Sequence, residues 1–318
     1  MNIIEFGDCR ETMRRWKEQG IKAQTCVTSP PYYGLRDYGH EGQIGLEETP
    51  EDYIKAMVEV FRCVWDVLED DGTLWLNIGD SYYNYRPGKG QALVKQSVAN
   101  NDQDLPQTCA RRGNKLDGLK EKDLIGIPWM LAFALRADGW YLRQDIIWHK
   151  PNPMPESVQD RCTKSHEYIF LMSKSQKYFY DAEAIKEASV DPDGSANRYK
   201  TPFFAGEKHE SGGYSATGAT HTKGMKEFDG NRNKRSVWTV TTKPYAGAHF
   251  AVFPSDLIEP CILAGAPVGG IVLDPFMGSG TTAQVAQNLG RQYLGCELNP
   301  EYKPLQNKRL AQRSLVLE

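Results

Sequence analysis

The chain reads as an α/β protein built on a doubly wound, mostly parallel sheet, and three observations lead there. Short apolar runs bounded by turn residues alternate with segments of helical period along most of its length. One such run, residues 271–273, stops at Asp274 and turns through Gly278 and Gly280 into a helical pattern, the order in which a nucleotide-like ligand lies over the carboxyl end of a sheet. Two long polar stretches interrupt this rhythm without dividing the chain in half, so one domain with inserted loops is expected. With 318 residues, 40% of them apolar, the chain can bury a large core.

Taken in order, residues 3–6 predict a strand, followed by Gly7-Asp8 and a helix over about 11–19. A second strand over 23–27 ends in Thr28-Ser29-Pro30-Pro31-Tyr32. Thr49-Pro50-Glu51-Asp52 is a helix start, with a hydroxyl cap, a first-turn proline and first-turn acids. Ile54, Met57, Val58, Phe61, Val64, Trp65 and Leu68 then recur at helical spacing until Asp71-Gly72. Strands are expected over 73–78, 140–148 and 168–172, and helices over 127–137 and about 255–264. After the strand at 271–273, Ala283, Val285, Ala286 and Leu289 mark a helix that Gly290 ends. A strand over 293–296 delivers Glu297, and a helix from Pro300 closes the chain.

The interruptions are residues 86–122, with eight Lys/Arg against four Asp/Glu, and 186–235, with nine against seven and seven glycines. Neither has a helical or strand period, and loops of such length in a compact domain tend to serve a function. The net charge of −3 does not mark a general nucleic-acid binder, so any basic surface must be local. Seven cysteines without a C-x-x-C pair lead to an expectation of reduced thiols in the cytoplasm, and no metal-ligand spacing accompanies them or His209 and His221. No apolar run reaches membrane-spanning length.

The glycine turn lacks the third glycine of a dinucleotide fingerprint and the lysine of a phosphate loop, since Thr281-Thr282 follows Gly280. Asp274 would repel a pyrophosphate, and Glu297, 19 residues after Gly278, stands where a carboxylate meets ribose hydroxyls. A cofactor with a ribose, no phosphate and a positive charge fits both conditions, as S-adenosylmethionine does. In Ser29-Pro30-Pro31-Tyr32 the prolines remove two donors and present carbonyls, Ser29 adds an acceptor and Tyr32 an aromatic face. Such a turn suits a planar amine.

Ser29-Pro30-Pro31-Tyr32 early and Asp274-Pro275-Phe276-Met277-Gly278-Ser279-Gly280-Thr281 late resemble the DNA amino-methyltransferases that modify N4 of cytosine or N6 of adenine. The order, catalytic motif before cofactor motif, resembles their beta group, which implies the methyltransferase sheet in circularly permuted form. The resemblance implies catalytic roles for Ser29, Pro30, Pro31 and Tyr32. It implies cofactor contacts from Asp8, Phe250, Pro254, Asp274, Phe276, Gly278, Gly280, Thr281 and Glu297. Residues 145–155 and 165–170 resemble elements lining the target-base pocket, and Lys150 reads as a phosphate contact. His149 reads as a packed or capping residue. The implied organisation is a catalytic half over 1–182 carrying the loop 86–122, a target-recognition region over 183–236, and a cofactor half over 237–318. Implied partners are double-stranded DNA and a cognate restriction endonuclease, with the chain a monomer or homodimer.

Mechanistically, an aryl amine is a poor nucleophile until acceptors take its hydrogens, so direct displacement with a flipped-out base is expected. Cys26 lies inside a strand and does not follow the prolines, which argues against a cysteine adduct. Serine before Pro-Pro-Tyr favours cytosine N4, with adenine N6 the alternative. From another class, a DNA-binding protein with a degenerate cofactor pocket is the rival reading.

Overall fold

The computed structural model describes residues 1–35, 39–40, 42–83, 116, 118–190, 230–242 and 253–311. Phe250 and most of the two polar stretches therefore lie outside the described residues. In chain order the described strands are β1 (Asn2–Phe6), β2 (Ala23–Thr28), β3 (Leu68–Ile78), β4 (Tyr141–His149), β5 (His166–Ser173), β6 (Glu187–Ala188), β7 (Asn231–Arg232), β8 (Val237–Thr239), β9 (Ile271–Asp274) and β10 (Gln292–Glu297). The helices are α1 (Cys9–Glu18), α2 (Pro50–Val67), α3 (Ile127–Ala137), α4 (Ser255–Gly265), α5 (Thr281–Asn288) and α6 (Lys303–Ala311).

The chain divides into two compact units, Met1–Asp181 with Ser236–Glu318, and Ala182–Arg235. In the larger unit eight strands form one sheet in the order β1-β10-β9-β2-β3-β5-β4-β8. Neighbours pair in parallel except where β5 meets β3 and β4. In the smaller unit β6 pairs antiparallel with β7, and Arg232 reaches Glu187 at 2.9 Å.

Local chemistry explains the main elements. The Thr49 hydroxyl accepts the Asp52 amide at 3.1 Å to cap α2, and Asp8 caps α1 through the Arg10 amide at 2.7 Å. Helix α2 stops at Val67, four residues before the expected Asp71-Gly72, because wholly buried Leu68 pairs with Ala23 and begins β3. The register shifts between the Ala23–Leu68 and Thr25–Thr73 pairs, and the extra residues lie on β3. On β3 the side chains alternate: Leu74, Leu76 and Ile78 join a core with α1, α2 and α3, while Trp75 turns to Trp238 and to the end of α4. A Cβ at Gly265 would fall 2.6 Å from the Thr25 hydroxyl, so α4 can close on the sheet only with glycine there.

Candidate active site

The carboxyl ends of β2, β9 and β10 bring the two sequence motifs to one cavity of about 380 Å³. Ser29, Pro30, Pro31 and Tyr32 line it, together with Asp8, Phe276, Gly278 and Glu297. Asp274, Gly280, Thr281 and Pro254 do not line it, although Phe253, next to Pro254, does.

The glycine turn explains that division. Gly278 and Gly280 adopt φ of 54° and 88°, left-handed values that most side chains resist. The Gly278 amide donates to Glu297 Oε2 at 2.7 Å and the Asn299 amide to Oε1 at 2.8 Å, so Glu297 is held by two backbone donors. Burial pushes its carboxyl up to about 7. Asp274, 2% exposed, accepts from the Thr28 hydroxyl at 2.6 Å, the Phe276 amide at 3.0 Å and the Thr282 hydroxyl at 2.6 Å. It ties the end of β9 to β2 and to α5, and burial raises it to about 6. Thr281 is likewise taken, by Arg309, and the Gly278 carbonyl accepts from Gln306 at 2.7 Å, so α6 braces the turn from outside. Asp8 lines the cavity with its carboxylate held below the usual range by Arg10.

At the proline turn the Tyr53 hydroxyl donates to the Pro31 carbonyl at 3.0 Å, while no described residue donates to the Pro30 carbonyl. The Ser29 hydroxyl lies 3.5 Å from the Tyr32 oxygen. Tyr32 donates to Glu167 Oε2 at 2.8 Å, with Asn77 Oδ1 3.4 Å away, and burial and the Glu167 charge push its phenol well up. Glu167 Oε1 pairs with the Lys150 ammonium, which also stands 4.2 Å over the Trp148 ring. Gly79 makes room for this arrangement, since a Cβ there would meet the Tyr32 ring at 2.7 Å.

Lys150 is therefore a lining residue paired with a carboxylate, where the sequence suggested a phosphate contact. Its partner Glu167 and the buried Asn77 were not singled out. For Glu167 the sequence signal is an acid at the start of an otherwise apolar strand, inside the 165–170 stretch that resembles a pocket-lining element. His149 holds Thr239 at 3.1 Å, on the β8 side of its strand. Burial raises the thiol of Cys26 well above its ordinary value, which keeps it protonated. Among the described residues no group of three His, Cys, Asp or Glu is placed to hold a metal ion, and no helix is long and apolar enough to cross a membrane.

The fold is that of solved DNA methyltransferases. The PvuII DNA methyltransferase, described as cytosine-N4-specific, aligns with a TM-score of 0.61 at 15% identity over 99% of this chain and 88% of that one. The M1.HpyAVI complex with S-adenosylmethionine aligns at 0.54 with 18% identity, over 98% and 100%. A family model for the N6/N4 enzymes, described as DNA methylase, matches residues 23–308. The type II methyltransferase M.SmaI of Serratia marcescens is 47% identical over 98% of this chain and 91% of its own length. M.Cfr9I of Citrobacter freundii, also a type II methyltransferase, is 47% identical over 96% and 86%. The chain belongs to the N6/N4 DNA methylase family.

Proposed function

We propose that the chain methylates the exocyclic N4 of cytosine in duplex DNA at a specific site, using S-adenosylmethionine, with the target base turned out into the cavity. The observation that carries this reading is the shared lining of one cavity by Ser29-Pro30-Pro31-Tyr32 and by Gly278 and Glu297.

The chemistry of the lining fits the cofactor. Glu297 is buried with neutral donors only, so a cationic ligand would offset its burial, and each oxygen keeps a lone pair for a ribose hydroxyl. Asp8 would take the adenine side, Phe276 would pack on the cofactor, and Phe250 and Pro254 would cover its methionine end. Asp274, Gly280 and Thr281 act by holding the turn in shape. When bound, S-adenosylmethionine supplies an electrophilic methyl group. The chain's own part is to prepare the amine. Ser29 Oγ and the Pro30 carbonyl accept its two hydrogens, which frees the nitrogen lone pair from the ring. Glu167 fixes Tyr32 through its hydroxyl, so the ring is a preset face for the base, and Lys150 balances the Glu167 charge.

Cytosine is favoured over adenine by the short Ser29 before Pro-Pro-Tyr, which accepts one hydrogen and leaves room. The appearance of the catalytic motif before the cofactor motif supports a circularly permuted topology. The name of the relatives, type II methyltransferases, supports a cognate restriction endonuclease as partner. Residues 183–236 serve as the target-recognition region in this reading. Digesting treated DNA to nucleosides and separating them by mass spectrometry tests it. N4-methyl-2′-deoxycytidine is the expected product; N6-methyl-2′-deoxyadenosine alone would replace cytosine by adenine and leave the rest standing.

A further inference from the structure

Between β4 and β5 runs a segment without helix or strand, residues 150–165, and one of its side chains stands apart from the rest of the cavity lining. Met154 lines the cavity and yet is 68% exposed, the most exposed large apolar residue on that rim. Its backbone is stiff. Pro151, Pro153 and Pro155 fix φ at alternate positions and push the residues between them into extended conformations. Asn152 is fastened to Thr242 by its amide nitrogen on the Thr242 carbonyl at 3.1 Å, and the Thr242 amide returns to Asn152 Oδ1 at 3.0 Å. The Lys150 amide donates to the Ser165 carbonyl at 2.7 Å and closes the base of the segment.

A long apolar side chain held out in water on a rigid support gains nothing for folding. It gains where a second apolar surface arrives. Extruding a base leaves a gap with two unstacked neighbours, and apolar side chains inserted at base steps offset that loss. Methionine suits the task, being unbranched and polarisable enough to lie against either base plane. We propose that Met154 is the wedge that enters the duplex as the target base leaves it, a positioning residue that holds the extruded state open without touching the reacting atoms. The inference rests on the reading of the chain as a base-flipping methyltransferase.

Two oligonucleotide duplexes carrying the site found by modification mapping separate the possibilities, one fully paired and one with the target base opposite an abasic position. In single-turnover assays Met154→Ala should slow the paired duplex by ~10–100-fold, the penalty of an unfilled unstacked gap, and the pre-opened duplex by less than about threefold. Met154→Leu should recover most of the rate. A fluorescent base analogue placed beside the target should brighten with the parent enzyme and stay dark with Met154→Ala at saturating protein. Equal slowing on both duplexes would overturn the wedge, since it would mark a cavity or folding defect, and so would unchanged rates on both. A parent enzyme that methylates neither duplex would remove the underlying reading, and the wedge with it.

Discussion

On the glycine-turn side of the cavity Asp274 and Glu297 are buried with hydrogen bonds from neutral groups alone, whereas on the proline-turn side the partly buried Glu167 is paired with the ammonium of Lys150. Under the proposed function, the difference follows from what each side would receive. A neutral aromatic base needs a fixed, charge-balanced frame, because any uncompensated charge beside it would cost free energy throughout the cycle. A cationic cofactor is better met by a carboxylate whose own counter-ion is missing, since the ligand then supplies it. Burial raises Asp274 to about 6 and Glu297 to about 7, and of the two only Glu297 lines the cavity where a ligand's cation could reach it.

The comparison breaks most visibly at Lys150. Lys150→Met leaves Glu167, partly buried at 17% side-chain exposure, without its ion-pair partner, and the folded state should lose up to ~3 kcal/mol, the low end of the range for breaking a buried pair. Adding Glu167→Gln should restore most of that, because the amide needs no counter-ion and its oxygen can still accept from Tyr32. Chemical denaturation of the parent, the single and the double variant checks this. A single variant as stable as the parent would mean the pair contributes nothing to the frame.

That frame was the least legible part of the sequence. Tyr32 and Glu167 are 135 residues apart, and they meet only because β5 runs antiparallel between β3 and β4. Alternating strands and helices predict parallel crossovers, and the one sign of that reversal is that the strands over 140–148 and 168–172 follow each other with no helix between them. The three-residue β8 was missed as well, being too short to show a period and defined by its pairing with Ile147, Trp148 and His149. The glycine-turn side was legible because its chemistry is local. Strand, Gly278, Gly280 and a carboxylate 19 residues on are fixed by one turn and the next strand. What the spacing could not tell is which of two carboxylates faces the ligand. Both end strands, but Asp274 is surrounded by Thr28, Thr282 and its own turn, and Thr28 is 246 residues away.

The second test sharpens the cofactor side. With its carboxyl raised to about 7, Glu297 is mostly neutral at pH 6 and mostly ionised at pH 8. If the ionised form receives the cofactor, affinity for S-adenosylmethionine should rise by about tenfold across that interval, the change in the competent fraction. Glu297→Gln should lower affinity at pH 8 by ~2 kcal/mol, the loss of charge-assisted hydrogen bonds, and flatten the rise. Calorimetric titration at pH 6, 7 and 8 measures both. Parallel pH profiles in parent and variant would assign the titration to another group. Stability runs the opposite way: a raised acid supports the unliganded fold fully below its unfolded value, near 4.5, and that support is lost as pH climbs through about 7.

Asp274→Asn should give the smallest effect on the cofactor, and its size distinguishes a turn-holding role from a ligand-facing one. The sequence alone suggests direct attraction between Asp274 and the cofactor's positive charge, which would make this variant as damaging as Glu297→Gln. The geometry gives a different expectation. Asparagine can keep Oδ1 on the Thr28 hydroxyl and the Phe276 amide, and its Nδ2 can donate to Thr282, whose hydroxyl turns to accept. No hydrogen bond toward the cavity is removed, so cofactor affinity should change by less than about threefold. Stability carries the clearer mark. Asp274 favours the fold fully below its unfolded value of 3.8 and loses that favour as pH rises through about 6, whereas asparagine does not titrate. The melting temperature of Asp274→Asn relative to the parent should therefore rise between pH 4 and pH 7. A loss of affinity as large as that of Glu297→Gln, with a stability difference that ignores pH, would return Asp274 to the ligand's side of the turn.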